Sequence, residues 1–276
     1  MGGKTAFIGK VGQDTFGDFL RGVLTRNGID CSGLAVDGAA PTTLAFVQLD
    51  ENGDRSFTFY RNPGADRMLS AQEIKPALID NCRVFHFGSV SMTHEPSRSA
   101  TLYAAQYAKE QGKLVSFDPN YRAMLWDSEE EALEQIKKGI AIADVLKVSE
   151  EEAQLITGDK DPAGAPQKLL SMGPALALVS LGELEAYYRS HACYGYVSSY
   201  QVNTVDTTGA GDAFVGAFLW KVCGMMKEEL KFMPDVELRQ IISFASAAGA
   251  LTMTGSGAIP AMPNMEQIRR CQGKEV

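Results

Sequence analysis

Residues 84–148 read VFHFGSVSMTHEPSRSATLYAAQYAKEQGKLVSFDPNYRAMLWDSEEEALEQIKKGIAIADVLKV. Three short apolar runs, Val84–Phe87, Leu114–Phe117 and Val145–Val148, alternate here with two longer segments of helical character, Ser97–Gln111 and Glu129–Ile142. The runs are strand-length, and the connections between them are far too long for hairpin turns. Crossovers of this kind predict an α/β fold with a mostly parallel sheet covered by helices on both faces.

The pattern continues downstream. Ala175–Leu181 and Ala186–Arg189 read as further strands, and two apolar helices are expected at Gly211–Cys223 and Val236–Thr252. Upstream, Thr5–Val11 is a β-branched, apolar strand, and Phe16–Asn27 places Phe16, Phe19, Leu20, Val23 and Leu24 at helical spacing before Gly28. Thr42–Leu49 and Ser56–Arg61 flank an Asn52-Gly53 pair, a strong hairpin signal. This hairpin lies outside the βα rhythm and predicts a small β lid or oligomer contact spanning about residues 30–66. With no repeat, linker or charge block, residues 1–276 are read as one domain.

Composition narrows the function. The 276 residues carry a net charge of −8, with 45% hydrophobic and 22% charged residues. That excludes collagen-like, low-complexity and disordered classes. A single unit of this length buries roughly three quarters of its unfolded surface and needs no staple. The acidic balance argues against a nucleic-acid partner, because phosphate contacts need clustered positive charge. Five cysteines form no CxxC pair and, with three histidines, offer no zinc-finger spacing; they read as reduced thiols of a cytoplasmic protein. Lys4 and Lys10 bracket too short an apolar run for a signal peptide, and Ala6 stands where myristoylation requires Ser or Thr. Lys221 interrupts the longest membrane candidate, Ala213–Met226, so no membrane partner is expected.

The chemistry concentrates in Asn203-Thr-Val-Asp-Thr-Thr-Gly-Ala-Gly-Asp-Ala-Phe214. A turn at Thr207-Thr208-Gly209 leads into a helix near Ala210, and glycines at 209 and 211 let a ligand approach the backbone. The N–H groups of Gly209, Ala210 and Gly211 are then expected to converge at the positive helix end as an anion hole. Asp212 in the first turn complements the helix dipole, worth ~0.3–1 kcal/mol. It also reads as a general base: the hole holds a phosphoryl group while Asp212 accepts the proton of an attacking hydroxyl. A base beside an anion binder suits a neutral nucleophile and an anionic leaving group, the requirement of phosphoryl transfer to an alcohol.

Two alternatives fail on context. Gly3-Lys4-Thr5 resembles the end of a Walker A loop, but a strand follows it instead of a helix. Gly209-x-Gly211 could open a dinucleotide fingerprint, but position 214 is Phe where the last glycine belongs.

Asp206-Thr-Thr-Gly-Ala-Gly-Asp212 resembles the second signature of the ribokinase-like (PfkB) carbohydrate kinases. The likeness runs along the chain through Ile8-Gly-Lys-Val-Gly-Gln-Asp14 with Gly17, Phe59-Tyr-Arg-Asn-Pro-Gly-Ala-Asp66, Phe117-Asp-Pro-Asn-Tyr-Arg122, Ser149-Glu-Glu-Glu152 and Ser180-Leu-Gly182. Within the family, FYRNPGAD and SFDPNYR are most similar to fructokinases and 2-keto-3-deoxygluconate kinases.

The resemblance implies a ribokinase-like fold and transfer of the ATP γ-phosphate to a sugar hydroxyl, either fructose to fructose 6-phosphate or another sugar of the family. It makes Asp212 the base and the amides of Gly209, Ala210 and Gly211 the hole. Tyr60, Arg61, Asn120, Arg122 and Asp212 would contact the sugar. Ser180, Gly182, Glu185, Thr208, Gly209, Gly211 and Gly255 would line ATP. Glu152 would organise the Mg2+ shell, and Asp206 and Thr208 match positions that often hold a monovalent cation such as K+.

Bland readings stand beside these roles: Arg61 as a cap on the hairpin exit, Arg122 as a surface ion-pair residue, and Glu150–Glu152 as a dipole-favoured helix start. The chain also departs from the family pattern. A strand–helix unit of about 30 residues bearing Gly-Gly-x-x-x-Asn has no counterpart in it. Glu185 replaces a usual glycine, and Ser149 replaces a common Asn. The alternative to an active kinase is therefore a truncated paralogue that keeps nucleotide binding or dimer contacts. A homodimer through the β lid is expected.

Overall fold

The computed structural model describes residues 1–49, 55–159, 161, 164–182 and 185–273. From the amino end, β1 (Ala6–Gly12), α1 (Thr15–Arg26) and β2 (Asp30–Asp37) precede the hairpin strands β3 (Leu44–Leu49) and β4 (Arg55–Tyr60). After α2 (Pro76–Asp80) come β5 (Val84–Gly88), α3 (Ser97–Glu110), β6 (Leu114–Asp118), α4 (Glu129–Ile142) and β7 (Val145–Ser149). Next are α5 (Glu150–Thr157), α6 (Gly164–Ser171), β8 (Leu176–Leu181), β9 (Glu185–Ser190) and β10 (Tyr194–Ser198). The chain closes with α7 (Ala210–Val222), α8 (Lys227–Lys231), α9 (Asp235–Thr252), α10 (Ala258–Ala261) and α11 (Met265–Cys271).

The main sheet has six strands in the order β10-β9-β8-β7-β6-β5. β5 to β8 are parallel, as their helical crossovers require, and β9 and β10 add antiparallel strands at one edge. Alternate residues face opposite cores. Val115, Phe117, Leu146, Val148 and Val179 join the cluster under α3, α4, α5 and α6. Leu114, Val145, Leu176, Leu178 and Tyr188 join the one under α7 and α9.

Close packing fixes these helices. Ser128 caps α4, its Oγ accepting from Glu131 N at 3.1 Å. The helix then lays Ala132, Ile136, Gly139 and Ile140 on the sheet. A Cβ on Gly139 would stand 2.7 Å from the Phe117 ring, so only glycine lets α4 ride over it. Phe117 in turn stacks on Phe87 with centroids 4.5 Å apart. On the other face, a Cβ on Gly249 of α9 would lie 3.1 Å from the Ala210 carbonyl oxygen, so α9 supports the first turn of α7 at backbone contact.

The front of the molecule differs from expectation. Residues 30–37, expected in the lid, pair instead in parallel with β1, because α1 returns the chain to that strand's side. The lid itself is the antiparallel β3–β4 pair, and the Asn52-Gly53 turn lies outside the described residues. Asp14 is the hub of this front part. It caps α1 through Gly17 N at 2.8 Å and accepts from Thr42 N and Thr42 Oγ at 2.7 and 2.8 Å. Lys10 bridges Asp37 and Glu73 at 3.0 and 2.9 Å.

Candidate active site

Along the sheet face that meets α7, the side chains change character from one strand end to the other. The amino-end rung, Val84, Leu114, Val145 and Leu176, is apolar and belongs to the core. Two or four residues on, the same strands present His86, Ser116, Asp118, Lys147, Ser149 and Ser180. His86 Nδ1 and Ser116 Oγ lie 3.1 Å apart. This polar end is the carboxyl edge of the parallel strands, where open α/β sheets hold their ligands.

The amino terminus of α7 closes the site. Gly209 precedes the helix at φ +84°, a left-handed conformation that favours glycine. A Cβ there would also stand 2.8 Å from Ala258 Cβ. The sequence predicts three converging amides, and the structure corrects one. Ala210 N donates to Thr207 O at 3.3 Å, closing the turn on itself, whereas Gly209 N and Gly211 N have no acceptor among the described residues. Asp212, in the first helical turn, is exposed and makes no hydrogen bond or ion pair with them either. A free carboxylate and free amides share one helix end.

Asp206 joins this turn to the loop after α9. Its carboxylate accepts from Thr208 N and from Gly257 N, each at 2.9 Å, and its own N–H donates to Met253 O at 3.2 Å. Gly255 in that loop packs against Ala261, 3.0 Å from where its Cβ would be. Asp206, Thr208, Gly209 and the 253–257 loop thus form one unit. Ser180 is the penultimate residue of β8, its Oγ donating to Val148 O at 3.4 Å, and Gly182 follows the strand at φ +61°. Glu185 is exposed at the start of β9, opposite Ser198.

Glu152 is 8% exposed, and both of its oxygens hold backbone. Ser149 N donates to Oε2 at 2.7 Å in a capping box, and Tyr121 N donates to Oε1 at 2.6 Å. Burial pushes its carboxyl above the usual range, helped by the Asp118 charge and opposed by those two amides. Glu152 therefore clamps the loop after β6, where Asn120 turns at φ 46° and its N–H reaches Asp118 Oδ1 at 3.1 Å. Among the described residues no three His, Cys, Asp or Glu side chains stand close enough to hold a metal ion alone.

On the lid side the two arginines part. Arg61 is 7% exposed, with its guanidinium on Asp66, Thr93 Oγ1 and Val90 O at 2.7, 2.8 and 2.9 Å. These bonds anchor Arg61, expected to contact the sugar or to cap the hairpin exit, at the foot of the hairpin. Arg122 is exposed, and among the described residues it donates to its neighbour's carbonyl, Tyr121 O, at 2.9 Å. Tyr60 is exposed on the lid, edge-on to Phe46 at 5.6 Å.

Sequence reasoning assigned no role to Asp118 or Lys147, which pair at 3.1 Å between β6 and β7. The available signal was a lysine inside the apolar run Val145-Leu-Lys-Val148, since lysine is almost never buried unless paired.

Comparison with known proteins places this architecture. The sequence pattern of the pfkB family carbohydrate kinases matches residues 1–265. Fructokinase-2 of Solanum lycopersicum is 44% identical over 268 residues, covering 97% of this chain and 81% of the relative. The crystal structure of fructokinase with bound ATP from Xylella fastidiosa superposes with a TM-score of 0.91 at 32% identity, covering 99% of this chain and 86% of that one. A fructokinase from Vibrio cholerae O395 in fructose-, ADP- and calcium-bound form gives a TM-score of 0.86 at 35% identity, over 97% of this chain and 85% of that one.

Proposed function

The chain belongs to the pfkB family of carbohydrate kinases, and on that premise we propose that it transfers the γ-phosphoryl group of ATP to fructose, giving fructose 6-phosphate. One observation carries the reading: Asp212, a carboxylate with no hydrogen bond or ion pair among the described residues, shares the first turn of α7 with amides that have no acceptor among them. Asp212 takes the proton of the attacking hydroxyl, and the N–H groups of Gly209 and Gly211 receive the charge that develops on the phosphoryl oxygens. Exposed Tyr60 and Arg122 supply a ring face and a planar donor for the sugar, and Arg61 holds the lid that carries Tyr60. Ser180, Gly182 and the 253–257 loop line the nucleotide.

Mg2+ fits this site as an ion carried by ATP, because Glu152 already holds two backbone amides and the described residues form no protein cage for it. When bound, the ion would neutralise phosphate charge, and Glu152 is the residue that would organise its shell. A monovalent cation at Asp206 belongs to the same proposal, tested by comparing turnover in K+ and Na+.

We also infer self-association through the lid, whose two-stranded sheet has unpaired outer edges among the described residues. Sedimentation as a monomer at working concentration rejects it. No helix of the described residues is long and apolar enough to cross a membrane. Five free cysteines fit a reducing cytoplasm. Coupled assays with ATP on fructose, 2-keto-3-deoxygluconate and ribose test the central reading. Fructose is expected to give the highest kcat/KM, and folded protein with no turnover on fructose overturns it.

A further inference from the structure

We propose that Lys147 is a catalytic residue whose ammonium contacts the phosphoryl group in transit, an inference that rests on the kinase reading above. Lys147 sits mid-strand in β7 between buried Leu146 and Val148, with its ammonium 3.1 Å from Asp118 Oδ2. The two side chains are only 12% and 7% exposed. Fold stability does not account for this pair. Desolvating two charges cancels much of their attraction, and an apolar pair of similar volume serves a sheet core as well or better.

Position supplies the explanation. A Cβ on Gly211 would lie 3.3 Å from Lys147 Nζ, so the ammonium rests against the first turn of α7. That is the positive end of the helix, where a cation is disfavoured. Gly209 N and Gly211 N, both without acceptors among the described residues, add their partial positive charge at the same helix end. Three positive elements gathered at one spot repel each other until a multiply charged anion comes between them. Asp118 holds the ammonium in register but, being bonded on the strand side, is not that anion. A phosphoryl group that bears its charge on equatorial oxygens is.

The chemistry balances without a new bond to the lysine. The sugar oxygen bonds to phosphorus, the bond from phosphorus to the leaving ADP oxygen breaks, and the hydroxyl proton passes to Asp212. Lys147 keeps its proton throughout and offsets charge as the oxygens gain it. Gly211 is then glycine for a second reason besides amide access: a side chain there would push the ammonium off its mark.

The test uses K147M, K147R and the double variant D118N/K147M. The double variant also removes the carboxylate that K147M leaves buried and unpaired. Loss of one preorganised charge of this kind is expected to lower kcat about 10²- to 10³-fold. KM for ATP and fructose should stay within about threefold, since the interaction is made in the transition state. D118N/K147M should be as slow as K147M. Its recovery to near wild-type turnover would show that Lys147 only neutralises Asp118, and overturns the proposal.

A second measurement needs no sugar turnover. Calorimetry of ADP binding with and without aluminium fluoride, a mimic of the phosphoryl in transit, should show tighter binding in wild type and not in K147M, with ADP alone binding equally. An unchanged gain in K147M, or no gain in wild type, overturns the proposal. A Lys147-dependent gain in a protein that phosphorylates none of the sugars upholds the residue's role and rejects the fructose reading instead.

Discussion

α4 and α1 are both amphipathic, and each is capped by a short polar side chain, Ser128 for one and Asp14 for the other. α4 sinks Ile136 and Ile140 to zero exposure against the sheet. α1 leaves Phe16, Phe19 and Leu20 51%, 62% and 41% exposed, and Phe7 on β1 and Val36 on β2 are exposed near it. The rear part, from β5 onward, is held by apolar rungs and close helix approach. The front part is held by carboxylates that gather backbone amides and Lys10. Periodicity therefore reports which face of a helix is apolar, and the sheet beneath decides whether that face is covered.

If function and apolar cohesion both belong to the rear part, the largest effects should fall there. Asp212→Asn should lower kcat by ~10²–10⁴ while leaving ADP affinity by calorimetry unchanged. Near-normal turnover would reduce Asp212 to a helix-dipole role. Phe117→Ala, which empties the space under Gly139, should cost about 3–5 kcal/mol in urea unfolding. A loss below about 1 kcal/mol would mean that the rear core is not the stabilising one.

Acid should separate the two parts. The amides of Ala40 and Ala39, with Lys10, hold the Asp37 carboxyl down at about 2, and those of Thr42 and Gly17 lower Asp14. Stability from such groups is present above the ordinary carboxylate range and is lost as pH falls through the native value. Glu152 has the opposite sign: burial raises its carboxyl, so its contribution is present in acid and fades as pH rises through its native value. Between about pH 4 and pH 2, hydrogen exchange should open amides of residues 12–17 and 37–42 before those of β6 to β8. Simultaneous opening would erase the distinction. The smallest effect belongs to Phe19→Ser, expected within about 0.5 kcal/mol of wild type by thermal melting. A loss of several kcal/mol would show that the exposed α1 face is covered in solution.

Much of the rear part was legible beforehand because each element is locally consistent. The helix expected at Glu129–Ile142 matches to the residue, because Ser128, three glutamates and a helical apolar stripe agree. β10 is not legible in the sequence: an edge strand with alternating exposure and a glycine at its second position, Gly195, carries little apolar signal. In the site, the Gly209–Asp212 turn was legible because its chemistry lies in consecutive residues. The fate of Ala210 N was not, since closure onto Thr207 O depends on the turn's actual dihedrals. The Asp118–Lys147 pair arises only when β6 and β7 are set side by side, and Arg61's partners include Thr93 and Val90, about thirty positions away. Long-range polar pairing leaves no period to read.

The passage from oil to chemistry along a single sheet face has a consequence for anyone who would re-engineer this enzyme. If the proposed site is right, randomising positions 84, 114, 145 and 176 should yield a library sorted by solubility, and randomising 86, 116 and 180 one sorted by turnover, with little crosstalk. The two searches can run separately and be combined afterwards, because strand polarity has already partitioned the problem.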